Sequence, residues 1–140
     1  VVRYREQDFA EVARTFTNGR GVDVVYDSVG QTTFEQSLSC LRPRGFLVLF
    51  GQSSGAVAPI DPQVLNAKGS LFLTRPTLAH YTLDRAELMQ RSGDLFDLLG
   101  RGELKIRVDR SFPLEQVSEA HRVLAGRETM GKVLLSVSRQ

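Results

Sequence analysis

Residues 22–51 read VDVVYDSVGQTTFEQSLSCLRPRGFLVLFG, and the two apolar runs at the ends of this stretch decide the class of fold. VDVVYDSVG (22–30) is a short β-branched run that ends in Gly30, and FLVLFG (46–51) is apolar up to its closing glycine. Apolar runs without alternation mark strands buried on both faces, as in a parallel sheet. Between them, TTFEQSLSCL (32–41) sets Phe34, Leu38 and Leu41 on one helical face. Thr32 with Glu35, or Thr33 with Gln36, caps the start of that helix, and LRPRG (41–45) breaks it. The stretch is a strand–helix–strand unit with a right-handed crossover.

The flanks continue the alternation. Upstream, DFAEVARTF (8–16) puts Phe9, Val12 and Phe16 on one face, with Asp8 and Glu11 as a capping box and Gly19 as the stop. Downstream, AVAPIDP (56–62) reads as a loop and GSLFLTRP (69–76) as a strand. LDRAELMQRSGDLFDLLGRG (83–102) is a long helix opened by Asp84 and Glu87, with Leu88, Leu95, Leu98 and Leu99 as its buried stripe. IRVDRSFP (106–113) alternates like a half-exposed strand. LEQVSEAHRVLAG (114–126) is an amphipathic helix with Val117, Ala120 and Leu124 inward, and KVLLSV (132–137) closes as a strand. The class is α/β, a doubly wound parallel sheet with flanking helices.

Composition excludes several functions. At 140 residues the chain is one domain's worth, 41% hydrophobic and 24% charged, ordinary for a globular protein. A formal net charge of +2, with the arginines dispersed, leaves no basic stripe for nucleic acid. No run approaches the ~20 apolar residues of a membrane helix, and no signal-peptide pattern opens the chain. The single Cys40 forms no internal disulfide and suits a reducing, cytoplasmic setting. The first residue is Val1 rather than Met, so an upstream piece is expected.

In an open parallel sheet, ligands sit beyond the carboxyl ends of the strands. Two strands here end in small-residue loops, Asp27-Ser28-Val29-Gly30 and Gly51-Gln52-Ser53-Ser54-Gly55. Such loops bring peptide groups close to a flat polar ligand; an ordinary glycine-rich turn is the other reading. Two at neighbouring strand ends point to a nucleotide-sized site.

The segments YREQD, DVVYDSVG, TFEQSLSCLRPRG, FGQSSGAV, NAKGSLFLTRPTL and AHRVLAGRETMGKVLL, in that order, resemble the zeta-crystallin-like quinone oxidoreductases. These are zinc-independent members of the medium-chain dehydrogenase/reductase superfamily. The resemblance covers nearly the whole chain and implies a Rossmann-type domain that binds NADPH and, with a separate substrate domain, reduces a quinone or enone by hydride transfer. It implies that Tyr4 meets the adenosine 2′-phosphate and that Ser28 and Val29 line the cofactor. Phe50, Gly51, Gln52 and Ser53 would lie along its ribose and nicotinamide side. Thr74 and Arg75 would meet the carboxamide, and Arg127 would stand near the cofactor. Relatives often carry Asn where Gln52 stands. The resemblance also implies a homodimer joined through the strand at 70–75.

The family's A-x-x-G-G-V-G phosphate loop, the Lys after its second strand and its N-terminal substrate domain have no counterpart in the sequence. The expectation is the C-terminal part of a dinucleotide-binding domain over 1–140, with residues from about 103 onward returning toward the substrate domain. The chain would then begin at the end of the third strand of the sheet, leaving the edge of VDVVYD open, and the isolated chain would be inactive. Two other readings stand: a non-catalytic dimerisation or structural fragment, and an S-adenosylmethionine-dependent methyltransferase-like domain, suggested by LRPRGFLVLFG. A reversed, antiparallel final strand would favour the latter.

Single residues leave choices open. Tyr4, between Arg3 and Arg5, either helps hold a phosphate or ends a solvated strand. Asp27 caps a turn or serves as a site carboxylate; Arg75 is an ion-pair residue or a cofactor neighbour. Cys40 reads as a small core residue. His80 and His121 have no partner at metal or catalytic spacing, and no catalytic residue or metal ligand is assigned. Hydride transfer depends more on aligning cofactor and substrate than on a protein acid or base.

Overall fold

The computed structural model describes residues 1–126 and 128–137. The chain divides into two compact units, Val1–Leu83 and Asp84–Gln140.

The first unit is built on the strand–helix–strand stretch. β1 (Val22–Asp27), α2 (Phe34–Ser39) and β2 (Leu41–Leu49) follow α1 (Phe9–Phe16), and β3 (Phe72–Thr74) follows a short helix α3 (Gln63–Ala67). The strands form a parallel sheet in the order β1-β2-β3. Val25 pairs with Leu47, which pairs with Leu73; Tyr26 pairs with Val48, which pairs with Thr74. The core gathers Phe34 and Leu38 from α2, Leu41, Leu47 and Leu49 from β2, and Leu71 ahead of β3, with Val25, Ile60, Val64 and Leu65 packed against them.

Four local expectations are corrected. β2 is buried on one face only: Leu47 and Leu49 point into the core, while Phe46 and Phe50 are half exposed. Phe46 stacks on Phe72 with ring centroids 4.5 Å apart, and Val24 and Tyr26 share this outer face. The expected break LRPRG instead forms the irregular first half of β2, where Arg44 takes φ +62° and the register with β1 shifts between Val22 and Val24. The loop at 56–62 leads into α3, started by Asp61, whose carboxylate accepts from the Gln63 amide at 2.9 Å. In α1 the enclosed residue is Ala10, not the Val12–Phe16 stripe, which stands exposed. The caps of α1 are as expected: Asp8 accepts from the Ala10 and Glu11 amides at 2.9 and 3.2 Å, and Gly19, at φ +82°, donates to the Arg14 carbonyl at 2.7 Å.

The second unit holds α4 (Arg85–Gly100), β4 (Val108–Pro113), α5 (Val117–Ala125) and β5 (Lys132–Ser136). Asp84 caps α4 through the Glu87 amide at 2.9 Å. The expected buried stripe of α4 is overturned, since no residue of that helix is buried and Leu88 and Leu95 are half exposed. α5 buries Ala120 and Val123, whereas Leu124 turns outward. β4 and β5 pair in parallel, Phe112 opposite Leu135. The final strand is therefore not reversed, and the feature that would favour a methyltransferase-like domain is missing from the described residues.

Candidate functional site

Both small-residue loops emerge at the carboxyl end of the first unit's sheet, and they are joined to one another. The Phe50 and Gly51 amides donate to the Asp27 carbonyl at 2.9 and 3.2 Å. The Ser53 amide donates to the Ser28 carbonyl at 3.2 Å and the Ser54 amide to the Val29 carbonyl at 2.8 Å. The Ser54 hydroxyl also donates to the Val29 carbonyl at 2.7 Å and accepts from the Thr32 amide at 3.1 Å.

This joining changes the meaning of the glycines. A Cβ on Gly51 would fall 2.7 Å from the Ser28 Cα, and one on Gly30 would fall 2.8 Å from the Gly55 carbonyl oxygen. The side chains are absent there because the loops press against each other. What remains for a ligand is the outer rim. Ser28, Phe50, Gln52 and Ser53 are exposed, and the side chains of Ser28, Gln52 and Ser53 make no hydrogen bond among the described residues. A rim of two free hydroxyls, a free amide and an aromatic ring suits a flat ligand rich in hydroxyl and amide groups, such as a ribose joined to a nicotinamide.

Under the rim lies Asp27, 4% exposed. Its Oδ1 accepts from the Val29 and Gly30 amides at 2.8 and 3.0 Å, and its Oδ2 from the Thr33 and Ser37 hydroxyls, both at 2.8 Å. Burial pushes this carboxyl up, yet the hydrogen bonds from Gly30, Ser37, Thr33 and Val29 outweigh it and hold Asp27 below the usual carboxylate range. Asp27 is thus the turn-capping residue of the two readings. The Thr33 hydroxyl donates to Asp27, and with Thr33 itself in helical conformation (φ −116°, ψ −16°) α2 begins without a side-chain cap. The buried carboxylate with Thr33 and Ser37 was not singled out as a cluster. Its signal was the four-residue spacing of those hydroxyls, one helical turn apart.

The other expected site residues are distributed around this rim. Tyr4 sits on a turn, where the Glu6 and Gln7 amides donate to the Arg3 carbonyl, rather than at a strand end. It lines an open groove of about 270 Å³ together with Phe9, Val25, Tyr26, Ser28 and Val29. Thr74 ends β3 opposite Val48, so Thr74 and Arg75 leave the sheet on the same end as the two loops. Arg75 is exposed, makes no ion pair among the described residues and donates to the Pro76 carbonyl at 3.1 Å. Arg127 lies outside the described residues. Among the described residues no group of three or more His, Cys, Asp or Glu could hold a metal ion, and no helix is long and apolar enough to cross a membrane.

Residues 1–135 match the family described as zinc-binding dehydrogenase. The described residues bring together no set of three His, Cys, Asp or Glu side chains that could hold a zinc ion. The chain is 47% identical over 135 residues to a 2-haloacrylate reductase from Burkholderia, covering 96% of this chain and 40% of that protein. It is 46% identical over 137 residues to quinone oxidoreductase 1 of Escherichia coli strain K12, covering 96% of this chain and 42% of that one. A solved structure of Escherichia coli quinone oxidoreductase complexed with NADPH matches with a TM-score of 0.90 at 46% identity, over 96% of this chain and 42% of the other. The chain thus spans about 40% of the length of these relatives, and its sheet is that of their Rossmann-like NADP-binding domain.

Proposed function

The chain belongs to the zinc-binding dehydrogenase family, and from that membership we propose that it contributes the ribose and nicotinamide side of an NADPH site in an oxidoreductase acting on a quinone or enone. NADPH, when bound, supplies the hydride. This chain's part is to bind and orient it. The observation that carries the reading is the fused rim: two adjacent strand ends locked by the Ser53–Ser28 and Ser54–Val29 hydrogen bonds, with the Ser28, Gln52 and Ser53 side chains free above them. A rim fixed before the ligand arrives lowers the ordering cost of binding. In the assignment proposed here, Ser28, Val29, Phe50, Gly51, Gln52 and Ser53 line the cofactor, and Thr74 and Arg75 meet the carboxamide. Tyr4 stands at the phosphate-bearing ribose, and Arg127 belongs to the same set.

The rest of the proposal follows from the family resemblance of the sequence. The protein works without zinc, in the cytoplasm, as a homodimer whose contact is the free edge of β3, where Phe72 is half exposed. Residues from about 103 onward return toward a substrate domain. The full-length protein should oxidise NADPH in the presence of a simple quinone or an activated enone, with activity unchanged by a chelator. Failure to oxidise NADPH with any member of a broad quinone and enone panel would end the assignment.

A further inference from the structure

We propose that Asp27 is a positioning residue for both loops of the rim, so that one buried carboxylate at the floor of the groove sets the shape of the rim above it. The carboxylate fixes the turn after β1 through the Val29 and Gly30 amides. That turn presents the Ser28 and Val29 carbonyls, to which the Ser53 and Ser54 amides bind. The Asp27 carbonyl itself holds the Phe50 and Gly51 amides. The hydrogen bonds that join the loop after β2 to residues 27–29 are therefore made to Asp27 or to the turn its side chain organises; the Gln31 amide adds one to the Gly55 carbonyl at 3.2 Å and the Thr32 amide one to the Ser54 hydroxyl at 3.1 Å. Thr33 and Ser37 hold the carboxylate from α2, which ties the rim to the helix between the strands.

The geometry makes a distinctive demand on substitutions. Both backbone amides reach Oδ1, while Ser37 reaches only Oδ2. Asparagine reproduces this: its carbonyl oxygen accepts the two amides, and its NH2 donates to hydroxyls that rotate to accept. Alanine leaves the Val29 and Gly30 amides and the Ser37 hydroxyl without partners and Thr33 with only the Gly30 carbonyl at 3.3 Å, a loss that costs more than the bonds themselves contributed. Charge is not required at this position; an acceptor at Oδ1 is.

The part of this inference that concerns NADPH rests on the oxidoreductase reading; the coupling of the loops does not. In the full-length protein, amide hydrogen exchange and NADPH titration by fluorescence are measured for Asp27→Ala, Asp27→Asn and Thr33→Val. Asp27→Ala should speed exchange at Val29, Gly30, Ser53 and Ser54 together by about tenfold or more, with Leu47 and Leu49 in β2 unaffected. It should weaken NADPH by about tenfold while the KM of the acceptor stays within about twofold, and Asp27→Asn should remain within about threefold of wild type in both readouts. If Asp27→Ala does not fold, Thr33→Val, which removes one hydroxyl donor without opening a cavity, should raise exchange in both loops together. Exchange rising after β1 but not at Ser53 and Ser54, or asparagine as damaging as alanine, overturns the proposal. A wild-type protein that binds no NADPH overturns the cofactor half, while the exchange data still decide the coupling.

Discussion

A methyl group added at Gly51 would lie 2.7 Å from the Ser28 Cα, and the atoms it meets are backbone. Backbone on both sides gives such a clash no flexible side chain to move, so Gly51→Ala must push the two loops apart. Overpacking of this kind costs about 1–3 kcal/mol. The expected outcome is a fall of that size in stability by denaturant titration, together with weaker NADPH binding. A Gly51→Ala protein with wild-type stability would mean that the loops are looser than their hydrogen bonds imply. Asp27 gives a second test, in pH. Its folded-state carboxyl titrates below the ordinary value, so its contribution to stability is complete above the unfolded carboxyl pKa of about 3.9 and is lost as pH falls through the lower folded value. Denaturant titrations between neutral pH and about pH 3 should show wild type losing more stability than Asp27→Asn below about pH 4. Parallel curves for the two proteins would remove the carboxylate's share in acid unfolding.

Between elements, β2 and α2 supply the two most enclosed large side chains. Leu47 and Leu38 are enclosed at 0% and 1% exposure, so Leu47→Ala should cost ~2–5 kcal/mol, read as a shift of the denaturation midpoint with the slope unchanged. Asp8→Ala removes the N-terminal side-chain cap of α1 and should cost about 1 kcal/mol. A loss at Leu47 no larger than that at Asp8 would mean the sheet core is not where stability resides. The residues that carry these predictions were legible in the sequence, because an apolar run marks a strand with at least one face in the core and a helix start needs an acceptor for its free amides; that only the Leu47–Leu49 face of β2 is buried was not legible. Other features were hidden for physical reasons. α3 is five residues long, too short for a 3.6-residue period to show, although Asp61-Pro62 marks its start. The first half of β2 contains Pro43, Arg44 and Gly45, residues that read as a break; they fall between the Val22–Leu41 and Val24–Phe46 pairs, where the Arg44 amide donates to the Gly69 carbonyl at 2.8 Å. The expected cap at Thr33 failed because its backbone is already helical, φ −116° and ψ −16°, and its hydroxyl is turned to donate to the Asp27 carboxylate instead of accepting from the first helical amides. The rim was legible as two small-residue loops; their mutual hydrogen bonding was not, since spacing along a chain cannot tell glycine placed for a ligand from glycine placed for a neighbouring loop.

For the whole chain, the decisive quantity is unpaired sheet edge. β1 pairs only with β2 and β3 only with β2, so among the described residues both margins of the three-stranded sheet present free backbone groups. Beside them stand large apolar side chains: Tyr26 is 73% exposed on β1 and Phe72 51% on β3. An unpaired apolar edge recruits another strand, because pairing satisfies its amides and carbonyls while burying the side chains next to them. The 140-residue chain expressed alone should therefore run above monomer size on a calibrated sizing column, in a concentration-dependent way. Tyr26→Lys places a charge beside the β1 edge, where pairing would have to desolvate it, and should shift the population toward monomer. The same chain should bind NADPH weakly, with Kd about 1 mM or worse, or roughly 4 kcal/mol. The reason is that its rim offers hydroxyls, an amide and a ring but no glycine-rich phosphate loop. Calorimetry gives the affinity and the column gives the state of association. A clean monomer that binds NADPH at micromolar concentration would show that the free edges and the missing phosphate contacts matter less than the fused rim.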